Sequence, residues 1–196
     1  MIASVVAALR ARPDMGCEAG LSPAELALAE QRFDVRFPPL WREVLQVVHP
    51  VALPLPPRDP DGVLRWTPVP DWRGRDPEAT ALLIEGPMEG VLFDVEMNDF
   101  WWPAWDAPPR RRVDRISAAR GHLDRVPRLV PVWGHLYVSS DDRSPVLSIV
   151  QTDLYSPAGD LVQLVLGGDD ADRDPATQAG SRIEFWSDLL DWSQGG

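Results

Sequence analysis

Three carboxylates standing close together, Asp94, Glu96 and Asp99, are the residues best suited to chemistry. Carboxylates sharing one face could share a proton, work as an acid–base pair or hold a divalent cation. Each of those roles needs further groups from elsewhere in the chain. Without them, the same residues are the solvated face of a sheet. An aromatic run follows, Phe100-Trp101-Trp102-Pro103-Ala104-Trp105. Aromatic residues dominate the centres of protein interfaces and also contribute most to cores. In a chain with nine tryptophans both uses are open, with Trp102 expected inside and Trp101 or Trp105 nearer the surface. A second acidic pair, Asp141-Asp142, sits in the turn-like segment Ser139–Ser144.

Other candidates carry less. His135 follows Gly134 in an apolar stretch, where a histidine is expected to be hydrogen-bonded in a core. Three histidines and one cysteine, Cys17, form no metal-binding spacing, so neither a metal nor another cofactor is expected. Gln151-Thr152-Asp153 at a strand end reads either as a binding edge or as the cap of a following helix. The chain has no Gly-x-Ser-x-Gly elbow and no glycine-rich phosphate loop, and no catalytic residue is assigned. Arg110, Arg111 and Arg112 read as a loop patch that neutralises nearby acid.

The elements that must position these residues can be read in part. An apolar first segment, residues 1–10, has no basic stretch before it, which favours an amphipathic helix over a signal peptide. Ser22-Pro23-Ala24-Glu25 is a helix start in which Ser22 caps Glu25 and Glu25 reaches back. Leu26, Ala29 and Phe33 follow at helical spacing. A second helix is expected from Pro38-Pro39, with Leu40, Trp41, Val44, Leu45 and Val48 as its apolar stripe and Pro50 as its stop. Residues 50–78, dense in proline, read as irregular loop with short edge strands, tacked to the core by Trp66 and Trp72.

From Val91 to Met97 apolar and polar residues alternate. This predicts a half-exposed antiparallel strand with Asp94 and Glu96 on its outer face. A helix is expected over 113–125, and one long strand over 128–138, apolar on both faces and therefore covered on both. A hairpin partner is expected at 145–150 and a helix near 157–166. Residues 167–181 read as a flexible linker. A last helix, Ile183 to Trp192, would return to the body. The expected organisation is a domain over 1–166, that linker, and a C-terminal helix within 182–196 packing back.

Composition narrows the function classes. The chain has 196 residues, a formal charge of −11, and arginine as its only basic residue besides histidine, the usage of a GC-rich bacterial genome. A surface this acidic repels nucleic-acid phosphates and anionic membranes and draws basic partners, although the same charge serves solubility alone. No apolar run approaches the length of a membrane span. A cytoplasmic protein with no nucleic-acid or membrane partner is expected.

Three stretches together resemble the SMI1/KNR4 (SUKH) family in its bacterial branch. They are Leu21-Ser22-Pro23-Ala24-Glu25-Leu26 through Phe37-Pro38-Pro39-Leu40-Trp41-Arg42, the segment Trp101-Trp102-Pro103-Ala104-Trp105, and Pro127–Tyr137 with Pro145–Asp153. The third is the most specific. The chain departs from the family pattern at Leu136, Ser144 and Ser156-Pro157. Over residues 20–166 the resemblance implies an α+β fold, an antiparallel β-sheet packed against helices. It also implies a non-enzymatic binding role, such as that of an immunity protein blocking a toxin. On that reading the partner is a basic toxin domain, and Asp94, Glu96, Asp99, Trp101, Trp105, Asp141 and Asp142 form the binding surface. The alternatives are a regulatory or assembly module, and a small hydrolase using Asp94, Glu96 and Asp99.

Overall fold

The computed structural model describes residues 1–53, 67–167 and 181–194. The expected linker and Trp66 lie outside these described residues, apart from the linker's two end positions. The fold is mixed α+β, with one two-stranded and one four-stranded antiparallel sheet among helices.

The N-terminal half follows its local signals. Helix α1 (Ile2–Ala11) buries Val5, Val6 and Leu9. Strand β1 (Gly16–Ala19) leads into α2 (Pro23–Phe33), which opens on the expected capping box: Glu25 N donates to Ser22 Oγ at 3.2 Å, and Ser22 N donates to Glu25 Oε2 at 2.7 Å. Helix α3 (Pro39–Val47) buries Leu40, Trp41, Val44 and Leu45. It ends at Val47, so Val48, expected on its apolar stripe, is already extended, and His49 before Pro50 is held in extended backbone by the proline. Val48–Val51 then forms β2, antiparallel to β1 with Pro50 opposite Cys17.

The largest departure from the sequence reading is α4 (Pro77–Met97), a 21-residue helix covering the segment read as a strand. Asp76 caps it, accepting from Ala79 N at 3.0 Å, and Pro77 takes the first turn. The alternation over 91–97 misleads because the helix is apolar on two sides. Val91 and Val95 are buried, whereas Phe93 is 46 % exposed and Met97 57 % exposed. Helix α5 (Arg112–Leu123) packs against it through Ala119 and Leu123.

The four-stranded sheet runs in the order β3 (Val130–Trp133), β4 (Leu136–Val138), β5 (Val146–Val150), β6 (Asp153–Ala158), each strand antiparallel to its neighbour. The single strand expected over 128–138 is in fact the β3–β4 hairpin. Gly134, at φ +61°, supplies the left-handed residue that a tight turn needs, and His135 lies exposed in that turn rather than in a core. The strand at 145–150 and its pairing with the preceding strand are as expected. Residues 153–158 are strand, so the next helix, α6 (Leu161–Leu166), starts later than read and is capped by Asp160, which accepts from Gln163 N at 2.8 Å. The last helix, α7 (Trp186–Ser193), lies against β6 and buries Trp186 and Leu189.

The sheet divides the interior into two apolar bodies. Val130, Val132, Val138 and Val146 join α1, α2 and α3 on one side. Leu129, Tyr137, Leu147, Ile149 and Leu154 join α4, α5 and α7 on the other. Coverage on both faces is what the doubly apolar 128–138 segment required.

One long-range contact completes α3. Both Asp142 carboxylate oxygens accept from Leu40 N, at 3.1 and 3.0 Å, so the missing cap of α3 is supplied 102 residues away. Burial raises the Asp142 pKa, and the neighbouring Asp141, Glu43 and Asp160 add to the rise against the Leu40 bond. The site therefore favours a neutral acceptor. Asp142→Ala should cost about 1 kcal/mol in urea unfolding at neutral pH, the usual loss of a cap. Asp142→Asn, which keeps an oxygen without the charge, should leave stability within about 0.5 kcal/mol of the parent or raise it; a loss from Asn equal to that from Ala would refute the account.

Candidate functional site

Helix α4 delivers Asp94 to the point where the chain turns back. The Asp94 carbonyl accepts from Asn98 N at 2.9 Å and Phe100 N at 3.1 Å, and Asp99 adopts a left-handed conformation at φ 53°. This reversal sends Phe100 into the core beside α7. Across from it lies the β5–β6 turn, with Gln151 also left-handed at φ 59°. The turn approaches the helix so closely that a Cβ on Gly90 would sit 2.9 Å from Gln151 Cα. Only glycine fits there.

Between these two reversals is a cleft of about 530 Å³. Asp94, Asp99, Phe100 and Trp101 line one side, with Gln151, Asp153 and Trp192 opposite. Asp94 lies at its base, 4 % exposed, contrary to the outward orientation read from the sequence. Its carboxylate accepts from Asn98 Nδ2 at 2.5 Å, Thr152 N at 2.9 Å and Thr152 Oγ1 at 2.6 Å. These donors replace the water lost on burial. Asp94 is thus a clamp between α4 and the turn, and Gln151-Thr152-Asp153 is that turn rather than the cap of a helix.

Asp99 at the rim and Glu96 outside it each face an arginine. Asp99, whose side chain is 94 % exposed, accepts from Arg115 at 3.0 Å, and the Arg115 guanidinium lies 6.0 Å from the Trp101 ring centroid. Glu96 points along the outer surface of α4 to Arg112 at 3.2 Å, and Arg111 pairs with Asp114 at 2.6 Å, so two arginines of the 110–112 run do neutralise nearby acid. Asp153 is exposed at the start of β6 and forms no ion pair with the described residues.

The aromatic run forms a ring lattice. Trp101 donates Nε1–H to Asp106 O at 2.7 Å, and Trp102 sits edge-on to Phe185 and Trp192. Trp105 stacks on His122 at 5.1 Å and on Phe185 at 6.2 Å. All three tryptophans are half-buried, so the expected division into one inner and one outer ring does not hold. The structure brings Asp94, Asp99 and Trp101 to the cleft. Trp105 packs behind it and Glu96 lies on the outer helix surface. Asp141 and Asp142 do not line the cleft. Asp142 caps α3, and Asp141 accepts from Arg143 at 3.0 Å, a bond that holds its pKa well below the usual carboxylate range. Phe100 and Trp192 are wall residues that the sequence reading did not single out as site residues.

A second polar cluster escaped the sequence reading altogether. His49 on β2 is fully buried. Arg73 reaches its Nδ1 at 2.9 Å, and Trp72 N lies 3.3 Å from Nε2. A neutral imidazole has one acceptor nitrogen, so the Arg73 guanidinium at Nδ1 and the Trp72 N–H at Nε2 compete for it, and Asp71 lies 3.9 Å from Nε2. Arg73 also donates to Glu25, Glu18, Ala19 O and Gly20 O, and Arg75 pairs with Asp71 and Glu18. The network ties segment 71–75 to β1, β2 and the start of α2. It borders a cavity of about 590 Å³ walled by Val51, Ala52, Pro68, Val69, Leu82 and Leu83. Spacing gave no sign of it, because its members come from four separate segments.

Among the described residues, no group of three His, Cys, Asp or Glu side chains stands together as a metal site, and no helix is long and apolar enough to cross a membrane. Comparison with protein-family models, with curated proteins and with solved structures finds no match for this chain.

Two outcomes follow for this region. Asp94→Ala strands the Thr152 donors and should cost roughly 2–4 kcal/mol in denaturant unfolding, while Asp99→Asn at the exposed rim should cost no more than about 0.5 kcal/mol. Equal effects would show that Asp94 is not a clamp. Burial, reinforced by Arg73 against the pull of Asp71 and Glu18, lowers the His49 pKa from 6.5 to about 4. The unfolded chain therefore takes up this proton first as the pH falls. The stability that the neutral ring contributes is fully present above pH 6.5 and drains away toward pH 4, by about 3 kcal/mol in all. Unfolding midpoints measured from pH 7 to pH 4 should show this loss, and His49→Gln, less stable throughout, should flatten it.

Proposed function

We propose that this chain is a non-enzymatic protein-binding domain that neutralises a basic partner, in the manner of an immunity protein covering the active surface of a toxin. The observation that carries the reading is the cleft between α4 and the β5–β6 turn. It offers aromatic walls, exposed carboxylates at its mouth and a base held rigid by the Asp94 clamp, on a molecule of net charge −11. Aromatic rings fixed by their neighbours lose little freedom on binding, and surrounding negative charge speeds encounter with a basic surface. The SMI1/KNR4 resemblance lends the toxin-blocking form of the proposal its only specific support.

Use of the 94–99 carboxylates for hydrolysis has less behind it. Asp94 is occupied by three donors, and Glu96 and Asp99 each face an arginine and point apart. No free acid–base pair remains among them.

The test is association of the purified chain with the protein encoded beside its gene, followed by surface plasmon resonance across ionic strength. The association rate should fall at least about tenfold between low and high salt. The partner's own activity should stop in the complex. A rate independent of salt would remove the acidic surface from the account, and a bound partner that stays fully active would remove neutralisation.

A further inference from the structure

We propose that the cleft seats the guanidinium of a single arginine from the bound protein, stacked between the rings of Trp101 and Trp192 and paired with Asp153. This deepens the protein-binding reading above and rests on it.

The cleft holds the parts that recognise a planar cation. Phe100, Trp101 and Trp192 supply ring faces and edges, and Phe100 meets Trp192 edge-on at 5.5 Å. Aromatic faces attract cations most strongly where water is excluded. Asp153 stands at the mouth with no ion pair among the described residues, and Asn98 and Gln151 add side-chain carbonyl oxygens. A guanidinium carries five donors in a fixed fork, which matches a carboxylate beside amide oxygens.

The chain itself shows the chemistry at the rim. Its own Arg115 guanidinium is held by Asp99 at 3.0 Å while lying over Trp101. One side of Trp101 is therefore already used in this way. The cleft lining repeats the ingredients in Trp192 for the ring and Asp153 for the carboxylate, and Asp153 pairs with no cation among the described residues. Arginine is favoured over lysine because a weakly hydrated plane stacks on indole and gives up its water at lower cost than an ammonium.

The probes are the blocked tripeptides Gly-Arg-Gly, Gly-Lys-Gly and Gly-citrulline-Gly. Each is titrated into the isotope-labelled whole chain while the indole N–H resonances of Trp101 and Trp192 are followed. The arginine peptide should shift both resonances saturably, and the neutral citrulline peptide should bind at least about tenfold more weakly. Asp153→Asn should weaken the arginine peptide about fivefold or more while leaving the unfolding midpoint close to the parent's. Trp192→Ala, which also gives up its ring contacts with Phe100 and Trp102, should weaken it as much with a lowered midpoint. Equal binding of arginine and citrulline, lysine binding tighter than arginine, or indifference to Asp153→Asn would overturn the proposal. The neighbouring-gene protein is tested in parallel. If it binds the parent and both variants equally well, the arginine seat is wrong and the protein-binding reading stands. If it does not bind at all, that reading fails, and the peptide titration still decides the cleft.

Discussion

A sheet of four short strands that is apolar on both faces is the constraint around which the chain is organised. Antiparallel sheets commonly leave one face to water, and this one cannot. Helices α1–α3 cover one side, and α4, α5 and α7 cover the other. Covering the second side calls on elements from two distant parts of the sequence, 77–123 and 186–193. Their meeting line at the sheet end is where the cleft opens. The candidate site is therefore a by-product of closure, a seam between the end of α4, the β5–β6 turn and α7.

The seam is held by a buried charge. A carboxylate in an apolar setting is costly unless both its oxygens find donors. Asp94 meets that condition with Thr152, 58 residues away, and with Asn98 one turn on. The geometry demands small or unusual backbone around it, as the close approach at Gly90 and the left-handed Asp99 and Gln151 show. His49 and Arg73 do comparable work at the far end of the molecule. There a buried ring and a guanidinium with several acceptors fasten segment 71–75 onto the two-stranded sheet.

What could be read from sequence was what is encoded locally. The capping box at Ser22 and Glu25, the proline-led start of α3 and the strand at 146–150 each depend on neighbours within a few positions, and each was legible. So was the mixed α+β class. Helix α4 was misread although Asp76-Pro77-Glu78 is a good helix start, because Gly86, Pro87 and Gly90 weaken the helical pattern and the apolar second side mimics a strand. The β3–β4 hairpin was read as one strand because both arms are apolar and only Gly134 marks the turn. The carboxylates were found as residue types but not in their roles. Whether an aspartate is a clamp, a cap or a free rim acid depends on what lies 58 or 102 residues away, and no local pattern carries that.

The cap that Asp142 gives α3 has a consequence for the growing chain. Ribosomes add about 5–20 residues per second, so α3 leaves the exit tunnel roughly 5–20 seconds before residue 142 does. Through that interval the first turn of α3 lacks its carboxylate acceptor, and Val130, Val132, Val138 and Val146, which its apolar body packs with, are still being made. The N-terminal third must wait with the apolar side that meets these valines uncovered, a state open to capture by chaperones during synthesis.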